Sequence, residues 1–474
     1  MKTIFKISAL LMLLPLVTTS CFKMEEEDLF DKAASQRLDE SAADYAKFLT
    51  EKGGKWKMEY FATEEMEGYV YIMDFQPNGY VQISGMNDYI RTIKGYTGSQ
   101  PNQSDEEKAK EQWGSAQSMW DIITDNGPVL SFNSYNPYFH LFSTPEDFTS
   151  GGSSNSTLSG RGFEGDYEFT LLRKSAAGDS LFLSGKKREI EIIMTRMPEE
   201  TDNYAYLNQV RKNVSNLFRS SIPRVFIDFG DGDRYVMLNA STLVPTLYDE
   251  KAKDALTEQF SRNTIVCYDS YAFMKPLEFN ETQKIVQFFV QQADGSLLCS
   301  DDNKTTISAG DLGKDCYADT MQTWTVDPVS LTGEMKSLYE TIAAKMPWGK
   351  DNKGRKVQAK IKNLEFSYLH YPVNQHIMKV VIEVKQGTVA YLIFHYTPSF
   401  PGTHQIQFDL TQFEEDEVAQ VYWNNIPELQ ELINLILGTP MQLSAASMLA
   451  PTPMTVTSTK NSENSFVATA TYIP

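Results

Sequence analysis

The chain is poor in the two side chains that most often bind metals. Its 474 residues include only four cysteines and five histidines, with no C-x-x-C, H-x-H or H-E-x-x-H motif. The spacings of 32 and 17 residues between Cys267, Cys299 and Cys316 match no common zinc pattern. We therefore expect no metal site at these cysteines. Buried free thiols are the favoured interpretation, and one disulfide among the three stays open.

Motifs for common enzymatic chemistry are also missing. The sequence has no G-x-S-x-G nucleophile motif, no phosphate-binding Walker motif and no G-x-G-x-x-G dinucleotide motif. We therefore predict no catalytic residues and no cofactor. With 62 acidic residues, a carboxylate pair for glycoside hydrolysis can arise in any fold, so a hydrolase stays open as the alternative.

Long apolar runs and an excess of positive charge are absent as well. The longest apolar stretch, Ile7 to Val17, is shorter than the roughly 20 residues that a membrane-spanning helix needs. The formal net charge of −19 repels the phosphate backbone of nucleic acids. We expect no transmembrane helix and no nucleic-acid partner.

The N-terminus has the features of a lipoprotein signal. Lys2 and Lys6 precede the apolar stretch, the small Ser20 ends it, and Cys21 follows. An acidic stretch comes directly after Cys21. These features predict a signal peptide at 1–20 and lipidation of Cys21 in a protein outside the cytoplasm. An ordinary cleaved signal is the alternative.

The rest of the chain predicts an α+β protein that is mainly antiparallel β. A lipid tether and docked helix are expected at 21–50, since apolar residues recur at helical spacing there. Residues 51–200 read as short strands with turns such as Asn78-Gly79, which predicts a lipocalin-like barrel or a strongly bent meander sheet. Residues 201–474 form a second α+β region, and a division into two subdomains near 310–350 stays open.

Two shorter segments are predicted from local sequence patterns. The polar segment from Tyr96 to Glu111 is predicted as a loop. Near the C-terminus, Pro427 is expected to open a helix and Gly438 to close it.

Two segments are weak candidates for ligand sites. Tyr135, Tyr138 and His140 lie in a segment rich in aromatic residues, where exposed rings would stack on a sugar or cover an apolar ligand. Packing into a core is the favoured alternative for these rings. Asp228, Asp231 and Asp233 would offer oxygen ligands to Ca²⁺, but a polar hairpin turn is the favoured interpretation.

Several strings in the N-terminal half resemble one family of Bacteroidetes lipoproteins, classified only as domain of unknown function 4302. They are Asp28-Leu29-Phe30-Asp31 with Arg37-Leu38, Trp56-Lys57-Met58-Glu59-Tyr60, Gly127-Pro128-Val129-Leu130-Ser131-Phe132 with Tyr135-Asn136, and Gly165-Asp166-Tyr167-Glu168-Phe169. The resemblance implies a cell-envelope lipoprotein associated with outer-membrane nutrient uptake. The acidic stretch after Cys21 resembles the export signal of such lipoproteins, which implies an outer-membrane, surface-exposed protein, with retention at the inner leaflet as the alternative. No catalytic residues are carried over from this resemblance.

Together these features predict a cell-surface lipoprotein that is more plausibly not an enzyme. The first hypothesis is an accessory or ligand-binding component of a glycan uptake system, with the membrane, transporter components and a glycan or peptide as partners. The alternative is a surface-anchored hydrolase of such a nutrient. A third hypothesis, a structural envelope protein, predicts a filled barrel interior.

Overall fold

The protein is described here by a computed structural model. The model describes residues 32–64, 66–96, 103–144, 163–217, 224–230, 234–238, 246–249, 251, 253–255, 263–279, 284–350, 353–371, 374–385, 387–415 and 417–472. The predicted signal peptide and Cys21 lie outside these residues. Within them no helix is long and apolar enough to cross a membrane.

The first sheet is an eight-stranded antiparallel barrel in which every strand pairs with its neighbour in sequence, and β8 closes on β1. Its strands are β1 Lys55–Tyr60, β2 Tyr69–Phe75, β3 Tyr80–Met86, β4 Trp113–Asp125, β5 Gly127–Phe132, β6 Glu168–Lys174, β7 Ser180–Gly185 and β8 Glu191–Arg196. This finding confirms the predicted fold class, and the closed form of the meander is the one observed.

Local chemistry accounts for the first strands of the barrel. Asn78-Gly79 joins β2 to β3, and Gly79 has a φ of +82°, which glycine adopts without strain. Helix α1, Ala34–Thr50, precedes β1 and buries Phe48 and Leu49 against the barrel. The indole N–H of Trp56 on β1 donates to the Leu49 carbonyl at 2.8 Å, which fixes the end of this helix.

The interior of the first barrel is filled by side chains. The Tyr60 ring lies 5.3 to 6.3 Å from the ring centroids of Tyr71, Phe139, Phe142 and Phe169. All five side chains are at most 1% exposed. Aromatic pairs at these spacings add to the free energy gained by burying their apolar area. The barrel is therefore a packed core at this end, in contrast to an open ligand cup.

The predicted loop from Tyr96 to Glu111 is wrong over its second half. After the short helix α2, Asp88–Ile93, helix α3 spans Asp105–Gln112 and leads directly into β4. The Ser104 hydroxyl accepts from the Glu107 backbone N–H, and the Glu107 carboxylate accepts from the Ser104 N–H at 2.8 Å. This capping box supplies partners to N–H groups that a helix start leaves unpaired, so a polar segment forms a helix.

The second sheet follows helix α4, Asn203–Leu217, and has nine antiparallel strands in the order β12, β11, β10, β9, β17, β16, β15, β14, β13. The strands are β9 Phe226–Asp228, β10 Arg234–Leu238, β11 Thr246–Asp249, β12 Asp254–Ala255, β13 Thr264–Val266, β14 Ser270–Phe279, β15 Lys284–Gln291, β16 Leu297–Cys299 and β17 Thr306–Ser308. This open sheet packs one face into its own apolar core.

The third sheet is a second closed barrel, in the order β18, β21 to β27. Its strands are β18 Gln322–Val326, β21 Lys360–Leu369, β22 Gln375–Lys385, β23 Thr388–Ser399, β24 Gln405–Glu415, β25 Met441–Ala445, β26 Met454–Ser458 and β27 Ser465–Tyr472. Between β18 and β21 lie α5, Gly333–Lys345, and a hairpin of β19, Trp348–Lys350, with β20, Lys356–Gln358. Helix α6, Glu417–Asn425, precedes α7, Pro427–Leu437, which begins and ends where the sequence predicts.

The three sheets contact one another through buried side chains. Ile265 and Cys267, at the edge strand of the nine-stranded sheet, belong to the core of the first barrel. Arg234 on β10 makes a two-point ion pair with Asp315, with distances of 2.7 and 3.0 Å, just before the second barrel. The predicted domain limits at 50/51 and 200/201 stay a prediction.

Candidate ligand-binding surface

A short segment after β5 crosses one end of the first barrel and is held there by Asn136. The Asn136 side chain is fully buried. Its Oδ1 accepts from the backbone N–H groups of Tyr138 and Phe139 at 3.0 and 3.2 Å, and its Nδ2 donates to the Ala116 carbonyl on β4 at 2.9 Å. One amide therefore fixes the segment that carries all three predicted ligand residues, Tyr135, Tyr138 and His140.

His140 is buried beneath this segment. Its Nδ1 accepts from the Asn136 backbone N–H at 3.0 Å, and the ring is 7% exposed. Burial lowers the pKa of His140, and backbone hydrogen bonding at Phe132 and Asn136 offsets part of that effect. An imidazole that is neutral and already accepts from the backbone serves to position its neighbours.

Two tyrosines flank His140 at the surface. The rings of Tyr135 and Tyr167 lie 5.6 and 5.3 Å from the His140 ring, centroid to centroid. Tyr135 is 64% and Tyr167 is 44% exposed. The three rings form a continuous strip in which the outer two are open to solvent.

Two further exposed apolar side chains lie on the neighbouring strands β3 and β4. Met119 on β4 is 48% exposed, and Tyr80, its register partner on β3, is 37% exposed. The Asn133 N–H donates to the Met119 carbonyl at 2.8 Å, so the Tyr135 segment adjoins β4. We call Tyr80, Met119, Tyr135 and Tyr167 the aromatic surface. Exposed ring faces with phenol hydroxyls suit a ligand that has both apolar and hydroxylated faces.

Asp166 fixes the position of Tyr167 from the other side. The two Asp166 carboxylate oxygens accept from the backbone N–H groups of Lys187 and Arg188, at 2.7 and 2.9 Å. Burial raises the pKa of Asp166, although these hydrogen bonds oppose the rise. A Cβ on Gly185 would lie 2.3 Å from Asp166 Oδ2, so glycine leaves the space that this carboxylate occupies.

The structure thus separates the three predicted ligand residues. Tyr135 is exposed, His140 is buried, and Tyr138 is half-buried with its ring against Gly114. Their role in binding stays a prediction. Tyr167 was missed, although the alternation with Phe169, which faces the core, is a signal that Tyr167 faces outward.

The weak Ca²⁺ candidate is described only in part. Asp228 ends β9, and its Oδ1 accepts from the Gly230 N–H at 2.8 Å, while Asp231 and Asp233 lie outside the described residues. Strands β9 and β10 pair antiparallel on either side of this segment, as the hairpin interpretation predicts. Among the described residues, no group of three or more His, Cys, Asp or Glu side chains is placed to hold a metal ion.

Three of the strings that carry the family resemblance, those ending at Tyr60, Phe132 and Phe169, meet at this end of the first barrel. Tyr60 contacts Phe169, and the Phe132 N–H donates to the Tyr167 carbonyl at 3.4 Å. A family model described as Domain of unknown function (DUF4302) matches residues 26–292. The chain belongs to this family, and the match covers the first barrel and the second sheet as far as β15. No curated protein matches the chain.

Proposed function

We propose that this member of the DUF4302 family is a lipid-anchored protein of the cell surface that binds a nutrient without chemically changing it. The ligand is a glycan or a peptide, and the protein serves an outer-membrane uptake system as an accessory component. Its ligand docks on the aromatic surface of the first barrel.

The observation that carries this proposal is the pair of exposed tyrosines on either side of His140. A ring that is 64% exposed gains little from packing within the protein, so Tyr135 has most of its apolar area available to a ligand. Tyrosine provides a large, rigid contact area at low cost in conformational entropy. Backbone and carboxylate hydrogen bonds hold both tyrosine segments in place, so the surface is formed before a ligand arrives.

The filled barrel supports a ligand on the outside of the protein. The interior at this end is occupied by Tyr60, Phe139 and Phe142. A lipocalin-like cup would need these side chains to leave, at a cost of several kcal/mol each. A surface site also suits a polymer, which cannot enter a closed barrel.

The hydrolase alternative has less support at this surface. Asp166 is the acid beside Tyr167 whose pKa is raised, as a general acid requires. Both of its oxygens, however, accept hydrogen bonds from the turn between β7 and β8. Its neighbour Glu168 lies 3.1 Å from Lys186 in an ion pair. These contacts give both carboxylates a structural role.

Binding to immobilised polymers tests the proposed surface. The chain without its first 21 residues is passed through native gels that contain dietary or host glycans, and peptides are tested by calorimetry. We expect retardation that is lost in Tyr135→Ala and Tyr167→Ala and kept in Tyr371→Ala, which removes a tyrosine that is 85% exposed elsewhere. Release of shortened products would favour the hydrolase instead.

Labelling tests the proposed anchor independently. Cells that express the full chain are fed an alkyne-tagged fatty acid, and the protein is then isolated and coupled to a fluorophore. We expect label in the wild type and none in Cys21→Ala, while Cys267→Ala keeps the label. Protease treatment of intact cells then distinguishes the outer surface from the periplasm.

A structural envelope protein is the second candidate, and the filled interior of the first barrel favours it. It shares the lipid anchor but has no nutrient ligand. It predicts that no glycan or peptide in the panel binds, and that loss of the protein alters envelope integrity. Retention on any polymer through Tyr135 and Tyr167 would exclude it.

A further inference from the structure

A cavity lies between the first barrel and helix α4. Its volume is about 150 Å³, comparable to an apolar cavity that holds one benzene molecule. It is lined by residues of six elements, β2, β3, β13, α2, α3 and α4, together with the segment of Glu67 and Gly68 before β2. We call it the acidic cleft.

Two carboxylates of the cleft accept hydrogen bonds from neutral side chains. The Tyr69 hydroxyl donates to Glu67 Oε1, and the Gln112 amide donates to Asp88 Oδ1 at 2.7 Å. Within the described part of the chain, neither carboxylate forms an ion pair. Glu67 is half-buried and Asp88 is exposed, and both line the same cavity.

Arg211, the cation in the lining, is committed elsewhere. Its guanidinium lies 2.7 Å from Asp105 Oδ2 on α3 and donates through Nε to Asn208 Oδ1 at 3.0 Å. Its side chain is 10% exposed. These contacts hold the positive charge of Arg211 between α3 and α4. It therefore does not pair with the two carboxylates of the cleft, and the cleft as a whole remains acidic.

Burial and the negative charges of the cleft raise the pKa of two tyrosines. Burial, and then the charge of Glu67, raise the pKa of Tyr69 well above its ordinary range. Burial also raises the pKa of Tyr89, and the charges of Glu67 and Asp88 add to that effect. The two rings meet edge to face, 5.9 Å between centroids, so both carboxylates act on the same small volume.

Gln112 holds Asp88 at the edge of the cleft. Its side-chain amide donates to Asp88 Oδ1 at 2.7 Å, and the Gln112 side chain itself lines the cleft. The cleft therefore offers two carboxylates, those of Glu67 and Asp88, to a ligand rich in N–H donors.

The remaining wall is apolar. Leu207, Val210 and Val214 repeat along one face of α4, and Val266 and Met86 complete this side. A ligand that satisfies both walls has a cationic donor at one end and an aliphatic chain at the other. We propose that the acidic cleft binds a primary alkylammonium group, in which the ammonium contacts Glu67 and Asp88 and the alkyl chain lies along α4.

The ligand series tests charge and shape separately. The chain without its first 21 residues is titrated by calorimetry with n-butylammonium, with 1-butanol and with butyrate. We expect butylammonium to bind at least about tenfold more tightly than the other two, and more weakly as salt increases. Nα-acetyl-lysine amide and a lysine-containing peptide then show whether a free amine or a lysine side chain is the better source of the group. Equal affinity for butanol would overturn the proposal.

The variants locate the site. Glu67→Gln and Asp88→Asn are expected to weaken butylammonium binding about tenfold or more, while Asp121→Asn, an exposed acid on β4 outside the lining, leaves it unchanged. Unchanged affinity in both cleft variants would also overturn the proposal. Thermal denaturation checks that each variant folds, and if Glu67→Gln does not, Asp88→Asn and the ligand series still decide. Tyr135→Ala leaves this binding intact, so the result is independent of the proposed nutrient surface.

Discussion

The phenol of Tyr60 donates a hydrogen bond to the backbone carbonyl oxygen of Asp166, at 3.1 Å, inside the first barrel. Tyr60 ends β1, and Asp166 precedes β6, so the bond joins two parts of the chain that are 106 residues apart. The same aspartate uses its side chain to hold the turn between β7 and β8. The interior of the barrel and the aromatic surface are therefore mechanically linked at one residue.

Removing the Tyr60 hydroxyl should weaken the fold. Tyr60→Phe keeps the ring in the core but leaves the Asp166 carbonyl oxygen without its buried donor, which costs about 1–3 kcal/mol. Urea denaturation should show a lower midpoint with an unchanged slope. Tyr371→Phe, at an exposed position, is the control and should match the wild type. Equal midpoints for the two variants would contradict this prediction.

Lys57 and Glu59, both on β1, form a largely buried ion pair on the side of the first barrel that faces the second sheet. Their side chains are 14% and 13% exposed, the charged atoms are 2.6 Å apart, and the Lys57 ammonium lies 3.9 Å from the Cys267 sulfur. Glu59→Gln leaves a buried ammonium without its anion, and we expect a loss of about 3 kcal/mol.

Chemical denaturation also measures this loss against two comparisons. Glu383→Gln removes the partner of Lys360, which is 63% exposed, and should cost less than about 1 kcal/mol. Replacing both charges, as Lys57→Met with Glu59→Leu, should recover most of the stability because no charge remains buried. If the double variant is no more stable than Glu59→Gln, the ion pair contributes more than the mutual neutralisation of its two charges, and the prediction is wrong.

His376 makes the second barrel sensitive to mild acid. Its ring lies between those of Tyr368 and Tyr396, with centroids 4.9 and 5.6 Å away, and burial lowers its pKa to about 4. The unfolded chain, with a histidine pKa of about 6.5, takes up the proton first as the pH falls. Stability is therefore complete above about pH 6.5 and is lost between there and about pH 4.

The loss attributed to His376 is about 1–2 kcal/mol, because the half-buried ring is partly screened by solvent. Thermal denaturation between about pH 4 and 7 measures it. His376→Phe should flatten the profile, whereas His370→Gln, at an exposed neighbour, should keep the wild-type slope. His140, whose pKa is also lowered, supplies the slope that remains in His376→Phe.

The three cysteines of the described region should be unreactive in the folded protein. Cys267, Cys299 and Cys316 are buried and unpaired. Burial raises the pKa of Cys267 to about 12 and that of Cys299 to about 11, so neither forms much thiolate at about pH 8. A thiol reagent should label none of them quickly and all of them in denaturant. Val329→Cys, at a position 79% exposed, gives the reactive control.

Some elements follow from local chemistry and were predicted where the structure has them. The Asn78-Gly79 turn and helix α7, from Pro427 to the cap at Gly438, depend on backbone angles that those residues favour by themselves. Strand β4 was missed although Ser118, Trp120 and Ile122 alternate with outward-facing residues.

The candidate site was predicted only in part, because exposure depends on distant residues. Tyr135 and His140 are five positions apart in sequence, yet one is open and the other buried. Asn136 and β4 decide this difference by fixing the segment across the barrel end. Tyr167 joins them only because β5 and β6 pair side by side.

By itself, the sequence determined the class of the fold, the Asn78-Gly79 turn, the two ends of helix α7, and membership of a family defined by strings in the N-terminal half. Those features depend on residues within a few positions of each other. Tertiary structure decided that the meander closes, that its interior is filled, and that Glu67 and Asp88 meet at one cleft. Closure and packing depend on contacts between residues that can lie more than 100 positions apart in the sequence. No local sequence pattern encodes such contacts.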